Sequence, residues 1–439
     1  MSCTRRPHPL AAARMLLSMC ASKGRRGPED HRILLMDIKK AFLYAKMNRH
    51  IYIELPSEDP MSEGGTVVGM LDKAMYGTRD APAEWQQEMN NTMVHLGFVA
   101  VKSAPCLYFH PEKDVYVVIH VDDVMAIGPK SRLQEFQKEI ENKYEVTADM
   151  VGPGGDEKKS GKFLGRLIGW ESSGLTWSGD SKMAKASIEE WDMMNSKAVE
   201  TPGVIEDGDL ESDEPLGKEE SALYRRTVAR LNYASLDNPF IAFATKEASR
   251  TMSAPSVGDK VKLKRILRFL RSRHSTTYRY RWQDEQETIE GLSDSDWAGC
   301  RRTRRSTSGG VVMHGSHLIH HWSRTQAGVA LSSAEAELNA MLKAGQELIC
   351  IRQFLSEMLV KKRLVISGDS SAAKGILCRR GCGKVKHLEV KQLWLQEKVA
   401  GGVVKIHKIP RRQNMSDALT HHWCRPDNAH HFRGMGIEH

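Results

Sequence analysis

Apolar and polar positions follow two different periods along this chain, and each change of period marks an element. "RILLMDIKKAFLYA" (residues 32–45) opens as a buried strand and turns helical after Asp37. "APAEWQQEMNNTMVHLG" (81–97) has helical spacing and stops at Gly97. "VYVVIHV" (115–121) and "VMAIG" (124–128) read as two short strands. "SRLQEFQKEIENKY" (131–144) places Leu133, Phe136, Gln137 and Ile140 on one side of a helix. In "KVKLKRILRFLRS" (260–272), Leu263, Ile266, Leu267 and Leu270 make a buried stripe, with basic residues on the remainder. From Thr288 an alternation of strands and helices runs to about Trp423.

Polar breaks separate these stretches. "GPGGDEKKSG" (152–161) is a Gly-rich loop, and the acidic "TPGVIEDGDLESDEPLGKEES" (201–221) reads as a linker. The divisions expected are 1–200, a linker and helical connecting segment over 201–287, 288–425, and a frayed tail over 426–439. "PLAAARMLLSMCAS" near the N-terminus is read as an amphipathic helix rather than a transit peptide, because Leu10, Met15, Leu16 and Met19 fall roughly on one face.

Composition narrows the class. A chain of 439 residues, 40% hydrophobic and 27% charged, is expected to be soluble, with two or three globular domains. Its formal charge of +9 suits a polyanionic partner. Of eight cysteines only Cys378 and Cys382 lie close, with no second pair to complete a zinc site, so reduced thiols are expected. No apolar run reaches the roughly 20 residues of a membrane span. No clear targeting signal is present, and the expected location is intracellular, in the cytoplasm and/or nucleus.

Two features carry chemistry. Asp122 and Asp123 join two apolar strands. A solvated Asp turn accounts for one aspartate, but not for Val121 and Val124 flanking the pair without Gly or Asn. Mg²⁺ takes hard oxygen ligands, and two such ions about 4 Å apart clamp the attacking and leaving oxygens in phosphoryl transfer. Asp37, at the end of a neighbouring apolar strand, offers a third carboxylate. Downstream, "IEGLSDSDWAG" puts Asp294 and Asp296 on one face of a strand. Ser332 and Glu335 have capping-box spacing, which gives Glu335 a structural role and leaves Glu337 without one. Asp369 ends a strand and Asp417 starts a helix. Taken singly, these last two are ordinary helix N-terminal residues. Taken together, the carboxylates suit a two-metal nuclease.

"LLMDIKKAFLYAKMNRHIYIELP", "KAMYGTRDAPAEWQ", "VVIHVDDVMAIG" and "KFLGRLIGW", in that order, resemble the reverse transcriptase of copia-type LTR retrotransposon Pol polyproteins. "DSDWAG", "RRSTSGG", "VALSSAEAEL", "GDSSAAKGI", "KHLEVK" and "SDAL" are similar to the RNase H domain of the same family. The resemblance implies an α+β palm-type polymerase domain, an N-terminally truncated right hand with its fingers largely missing. An α/β RNase H-like domain with a mixed sheet would follow. By this resemblance Asp37, Asp122 and Asp123 are catalytic metal ligands of the polymerase, and Asp294, Glu337, Asp369 and Asp417 those of the nuclease. Asp296 and Glu335 are the nearby alternatives. Phe42 is either the nucleotide-binding side chain that blocks a ribose 2′-OH or a core aromatic. The cofactors implied are Mg²⁺ (or Mn²⁺), two ions per site. The partners implied are an RNA template, an RNA–DNA hybrid, dNTPs and other retrotransposon polyprotein products. Lys262, Lys264, Arg265, Arg268 and Arg271 either contact template–primer phosphates or form a solvated face, and Arg301, Arg302, Arg304 and Arg305 make a second basic cluster.

This sequence departs from the family pattern in three ways. Only 36 residues precede Asp37. Asp80 stands in "GTRDAP" where the family usually has Gln. Capsid, protease and integrase segments are missing. The expectation is therefore a polyprotein fragment or a gene derived from one. Its readings are a polymerase with RNase H activity, a nuclease alone, or a non-catalytic nucleic-acid-binding relic.

Overall fold

The computed structural model describes residues 9–23, 31–62, 67–204, 213–379, 381, 390–422 and 425–438. Residues 205–212 of the expected linker, Cys382, and Lys386 to Glu389 of the "KHLEVK" motif lie outside the described residues. The chain forms two compact units, one of residues 24–164 and one of residues 1–23 with 165–439. The N-terminal helix α1 (Pro9–Lys23) belongs to the latter.

The unit of residues 24–164 holds β1 (His31–Ile38), β2 (Tyr52–Glu54), β3 (Val68–Met70), α2 (Ala81–His95), β4 (Val99–Ala100) and β5 (Leu107–His110). It continues through β6 (Val115–His120), β7 (Asp123–Pro129), α3 (Lys130–Glu141), β8 (Val146–Val151) and β9 (Ser160–Phe163). Six strands form an antiparallel sheet in the order β4-β5-β6-β7-β1-β8, and β2 pairs with β3 in a separate ribbon. Alternation along β1 sends Leu34, Met36 and Ile38 to one face. There they share a core with Trp85, Met89 and Met93 of α2 and Leu133, Phe136 and Ile140 of α3. Ile33 and Leu35, on the other face, are also buried, so β1 reads as a continuous apolar run.

The larger unit opens with β10 (Arg166–Glu171) and β11 (Gly174–Ser178), then helices α4 (Lys182–Glu190), α5 (Lys218–Ala234), α6 (Pro239–Ser249) and α7 (Val257–Ser272). Strands β12 (Thr277–Arg281), β13 (Thr288–Ser295), β14 (Thr307–His314) and β15 (His317–Thr325) follow, with the long helix α8 (Ser333–Glu357). The remainder is β16 (Arg363–Gly368), α9 (Ser371–Cys378), α10 (Val390–Ala400), β17 (Val404–Lys408), α11 (Arg425–Gly434) and β18 (Ile437–Glu438). One sheet has the order β15-β14-β13-β16-β17. Its first three strands are antiparallel, while β13, β16 and β17 run parallel. Helix α8 lies close on β13 because Gly291 has no side chain. A Cβ there would sit 2.9 Å from Leu348 Cδ1. The palm-type antiparallel sheet and the RNase H-like mixed sheet are the expected fold classes.

Three expectations are corrected. Residues 425–438 are not a frayed tail: β18 pairs with β12, Ile437 is buried, and Phe432 packs on Phe240 with ring centroids 4.1 Å apart. The expected boundaries at 200 and 287 fall inside one unit, because β12 pairs with β11. Helix α1 is buried all round rather than amphipathic. Arg14 is 1% exposed and donates to Asp237 Oδ1 at 2.5 Å. Asp237 also accepts from Arg166 Nε at 2.9 Å and from the Trp177 indole at 2.9 Å. Burial works against this carboxylate, but the two guanidiniums hold its pKa below the ordinary range. Among the described residues, no helix is long and apolar enough to cross a membrane.

Candidate active sites

The first site forms around a two-residue turn. β6 ends at His120, β7 begins at Asp123, and Val121 and Asp122 make the connection. Val121 takes φ 58°, the left-handed conformation that hairpin turns of this length usually assign to Gly. A β-branched residue there is strained, and such strain concentrates where surrounding contacts enforce it. One such contact is visible. The buried Trp85 of α2 donates its indole N–H to the Val121 carbonyl at 2.6 Å. Register places Asp37 of β1 directly opposite Asp123 of β7, and the Ile38 N–H donates to the Asp122 carbonyl at 3.0 Å. All three carboxylates therefore belong to one end of adjacent strands. The Asp123 pKa is raised, first by burial and then by Asp122 and Asp37, while the Leu164 N–H at 3.2 Å opposes the shift.

Phe42 is half-buried against the core of this unit and stacks on Tyr76, with centroids 4.7 Å apart. Asp80 sits just before α2 and pairs with Arg49 at 2.7 Å, which partly offsets its charge.

The second site is a cleft of about 510 Å³ in the larger unit. Asp294 is near the end of β13, and Asp369 directly follows the parallel neighbour β16, so both reach the same sheet edge. Glu337 comes from the second turn of α8. Asp417 comes from a 3₁₀ segment, Met415–Leu419, rather than from the start of an α-helix. The Asn414 side chain pins that segment to β13 by donating to the Ser293 carbonyl at 3.0 Å. Oxygens of Asp294, Glu337 and Asp369 all lie within 4.8 Å of one another. Thr420 donates to Asp294 Oδ2 at 2.7 Å, and the Ser295 N–H reaches Glu337 Oε1 at 3.3 Å. Glu337 Oε2 is buried with no hydrogen-bond partner.

Burial raises the Asp294 pKa to about 7 with help from Asp417 and Asp369, against the Thr420 hydroxyl. Burial, then Asp294 and Asp369, raises Glu337 to about 9. Asp369 is raised as well, chiefly by burial. Arg411 is the local counter-charge, 3.2 Å from Asp417. Clustered hard oxygens, mutual repulsion and one orphaned acceptor suit a divalent cation.

The alternatives left open by spacing, Asp296 and Glu335, have hydrogen-bond partners of their own. Asp296 lines the same cleft but accepts the Thr307 N–H and lies outside the three-carboxylate group. Glu335 accepts the Leu331 N–H at 2.8 Å, and its own N–H donates to Ser332 Oγ at 3.2 Å, so it is engaged in capping α8.

On α7 the apolar stripe is buried as expected, with Phe269 added. Its cations face their own chain. Arg265 donates to Thr201 Oγ1 at 3.0 Å, Arg268 to the Lys197 carbonyl at 2.7 Å and Arg271 to the Ser196 carbonyl, while Lys264 lies over the Trp191 ring. The carbonyls of Ser196 and Lys197 need donors, and Arg271 and Arg268 supply them. Lys262 is half-buried on the same helix. Sequence reasoning did not single out Trp85, Thr420 or Arg411. The basic pair in "PRRQNMSDAL" was the signal available for Arg411.

A palm-like antiparallel sheet and an RNase H-like mixed sheet, each with its own carboxylates, define a reverse-transcriptase-class architecture. Residues 9–205 match the family described as reverse transcriptase (RNA-dependent DNA polymerase). Over most of its length the chain is similar to copia-type retrotransposon Pol polyproteins. It is 27% identical over 427 residues to the retrovirus-related Pol polyprotein from transposon TNT 1-94 of Nicotiana tabacum, spanning 94% of this chain and 31% of that protein. It is 26% identical over 394 residues to the polyprotein from transposon RE1 of Arabidopsis thaliana, spanning 88% of this chain and 26% of that protein. The chain thus spans roughly a third or less of the length of these curated relatives. Among solved structures, the foamy viral protease-reverse transcriptase in complex with dsDNA shares the fold. Its TM-score is 0.51 at 11% identity, covering 93% of this chain and 71% of that one.

Proposed function

We propose that this chain is a divalent-metal-dependent nucleic-acid enzyme that copies an RNA template into DNA at one site and hydrolyses the RNA strand of an RNA–DNA hybrid at the other. The observation that carries the reading is the meeting of Asp294, Glu337 and Asp369 within 4.8 Å, with Glu337 Oε2 buried and unpartnered. Asp294, Glu337, Asp369 and Asp417 would hold Mg²⁺ or Mn²⁺ in the nuclease cleft, and Asp37, Asp122 and Asp123 would hold it in the polymerase palm. When bound, a pair of such cations activates the attacking water or 3′-hydroxyl and stabilises the leaving oxygen.

The chain's own residues do the rest. Thr420 fixes the Asp294 carboxylate by its hydrogen bond, and Arg411 fixes that of Asp417. Trp85 holds the carbonyl of the strained Val121 and so sets the direction of the turn that bears Asp122. Phe42, backed by Tyr76, is the wall that meets the 2′-OH of a ribonucleotide and so favours an incoming dNTP. Arg49 tempers Asp80, so the carboxylate at the family's Gln position repels a triphosphate less. A nuclease-only reading has one observation in its favour. Among the described residues, only the Asp294 group meets the convergence that Asp37, Asp122 and Asp123 lack.

The substrate class is tested with end-labelled nucleic acids. The proposal requires Mg²⁺-dependent cutting of RNA within a hybrid, little cutting of single-stranded RNA or duplex DNA, and loss of cutting in Asp369→Asn. Equal cutting of all three substrates, or cutting that persists in EDTA, removes the RNase H assignment.

A further inference from the structure

We propose that the loop between β13 and β14, residues 296–306, grips the phosphate backbone of the duplex that enters the Asp294 cleft. This rests on the nuclease reading of that cleft and names the surface that positions its substrate. Ser295 and Asp296 line the cleft, and the chain leaves it directly into this loop. Arg301, Arg302, Arg304 and Arg305 are all exposed there.

The loop is built to hold a shape. Asp296 Oδ1 accepts the Thr307 N–H across its base. The Ala298 N–H donates to Ser306 Oγ at 2.9 Å, and the Arg304 N–H donates to the Cys300 carbonyl at 2.7 Å. Cys300 Sγ sits inside the loop and accepts the Thr303 hydroxyl at 3.0 Å and the Arg250 guanidinium from α6's C-terminal end. Arginines presented on a fixed frame lose less freedom on binding than arginines on a floppy one.

Their charge is left unneutralised. No acidic residue occurs between Asp296 and Glu335. The carboxylate reached through Arg250 is Glu247, which is already paired with Lys246 and Arg250. Glu335 is engaged at the start of α8. Among the described residues, none of the four loop arginines has a carboxylate partner. The α7 cations, in contrast, are engaged by their own chain. A cleft lined by five carboxylates repels a phosphodiester, and an adjoining cationic rim offsets that repulsion at the point of entry. Trp297 (55% exposed) directly follows the cleft-lining Asp296, and its indole N–H is fixed on the carbonyl of Ala330, next in sequence to Leu331 (67% exposed), at 3.1 Å. That apolar shoulder supports a duplex without reading its sequence. Contacts of this kind set register and orientation rather than sequence preference.

The test changes Arg301, Arg302, Arg304 and Arg305 together to Gln, and separately to Lys, in the full chain. Binding of a labelled RNA–DNA hybrid is followed in EDTA across a salt series, and cleavage is followed in Mg²⁺. The Gln variant should bind about 10- to 100-fold more weakly near 0.1 M salt, with a log–log salt slope shallower by about 2 to 4. Its KM should rise while kcat at saturating hybrid stays within about 2-fold. The Lys variant should keep the parental slope. Parental affinity and slope in the Gln variant would overturn the proposal, as would a parent that binds no hybrid. A parent that binds with the expected slope but cuts nothing removes the nuclease reading and leaves the grip standing.

Discussion

Replacing Glu337 by Gln should make the protein more stable near neutral pH in the absence of divalent cations. The side chain is 7% exposed, and its carboxyl is raised to about 9 by burial, Asp294 and Asp369. In the unfolded chain it titrates near 4.5, the ordinary value. Between those values the folded protein binds the extra proton, so stability falls as pH rises through the window. A separation of about 4.5 units corresponds to a ceiling of roughly 6 kcal/mol at 1.36 kcal/mol per unit. Asp294 and Asp369 share the same electrostatic load, so removing one charge relieves about 2–3 kcal/mol of it. The amide keeps an oxygen for the Ser295 N–H and puts a donor where Oε2 has no partner. At roughly 2 °C per kcal/mol for a chain of this size, the melting temperature in EDTA should rise by about 4–6 °C near pH 8. The gain should shrink towards zero as pH falls below about 4.5, where the parental carboxyl is protonated in both states. Mg²⁺ should raise the parental melting temperature more than that of the variant, since a bound cation stabilises only the state that binds it. A variant no more stable than the parent near pH 8, or a gain that does not vary with pH, would refute the reasoning.

Other outcomes follow from the same contacts. Asp237→Ala leaves Arg14 and Arg166 buried without their carboxylate and should cost about 3–5 kcal/mol in chemical denaturation. Because the Asp237 pKa is depressed, the stability it supplies is present above the ordinary carboxylate range and lost as pH falls through the folded value. Trp85→Phe keeps the ring's bulk but removes the donor to the Val121 carbonyl, and should slow primer extension about 10-fold or more, without affecting hybrid cleavage. Val121→Gly relieves the positive φ and should raise stability by about 1 kcal/mol in thermal denaturation, while primer extension does not improve.

Much of this architecture was legible because period and chemistry agreed. β1 and β7 are buried along most of their length and carry Asp37 and Asp123 where a buried strand has no ordinary use for an aspartate. α7 and α8 show their apolar stripes directly. The capping spacing of Ser332 and Glu335 freed Glu337 for the cleft, and the geometry agrees. What stayed hidden depended on partners distant in sequence. α1 has an amphipathic pattern, yet its polar Arg14 meets Asp237 more than two hundred residues away. Asp294 and Asp296 share a strand face, and only the position of α8 and β16 separates them. The α7 arginines have the pattern of a nucleic-acid face, but the carbonyls of Ser196 and Lys197 and the Thr201 hydroxyl take up three of them. Spacing cannot show a valine forced to positive φ, because Val121 owes that conformation to Trp85 and to the strands on either side.

The most direct test is a paired assay on one purified sample in Mg²⁺, following primer extension on an RNA template and cleavage of a labelled RNA–DNA hybrid. Asp123→Asn and Asp369→Asn serve as the two perturbations. Two separate active sites predict that Asp123→Asn loses extension and keeps cleavage, and that Asp369→Asn does the reverse. If the parent protein shows neither activity while folded, or if one substitution abolishes both, the account of two independent carboxylate centres is contradicted.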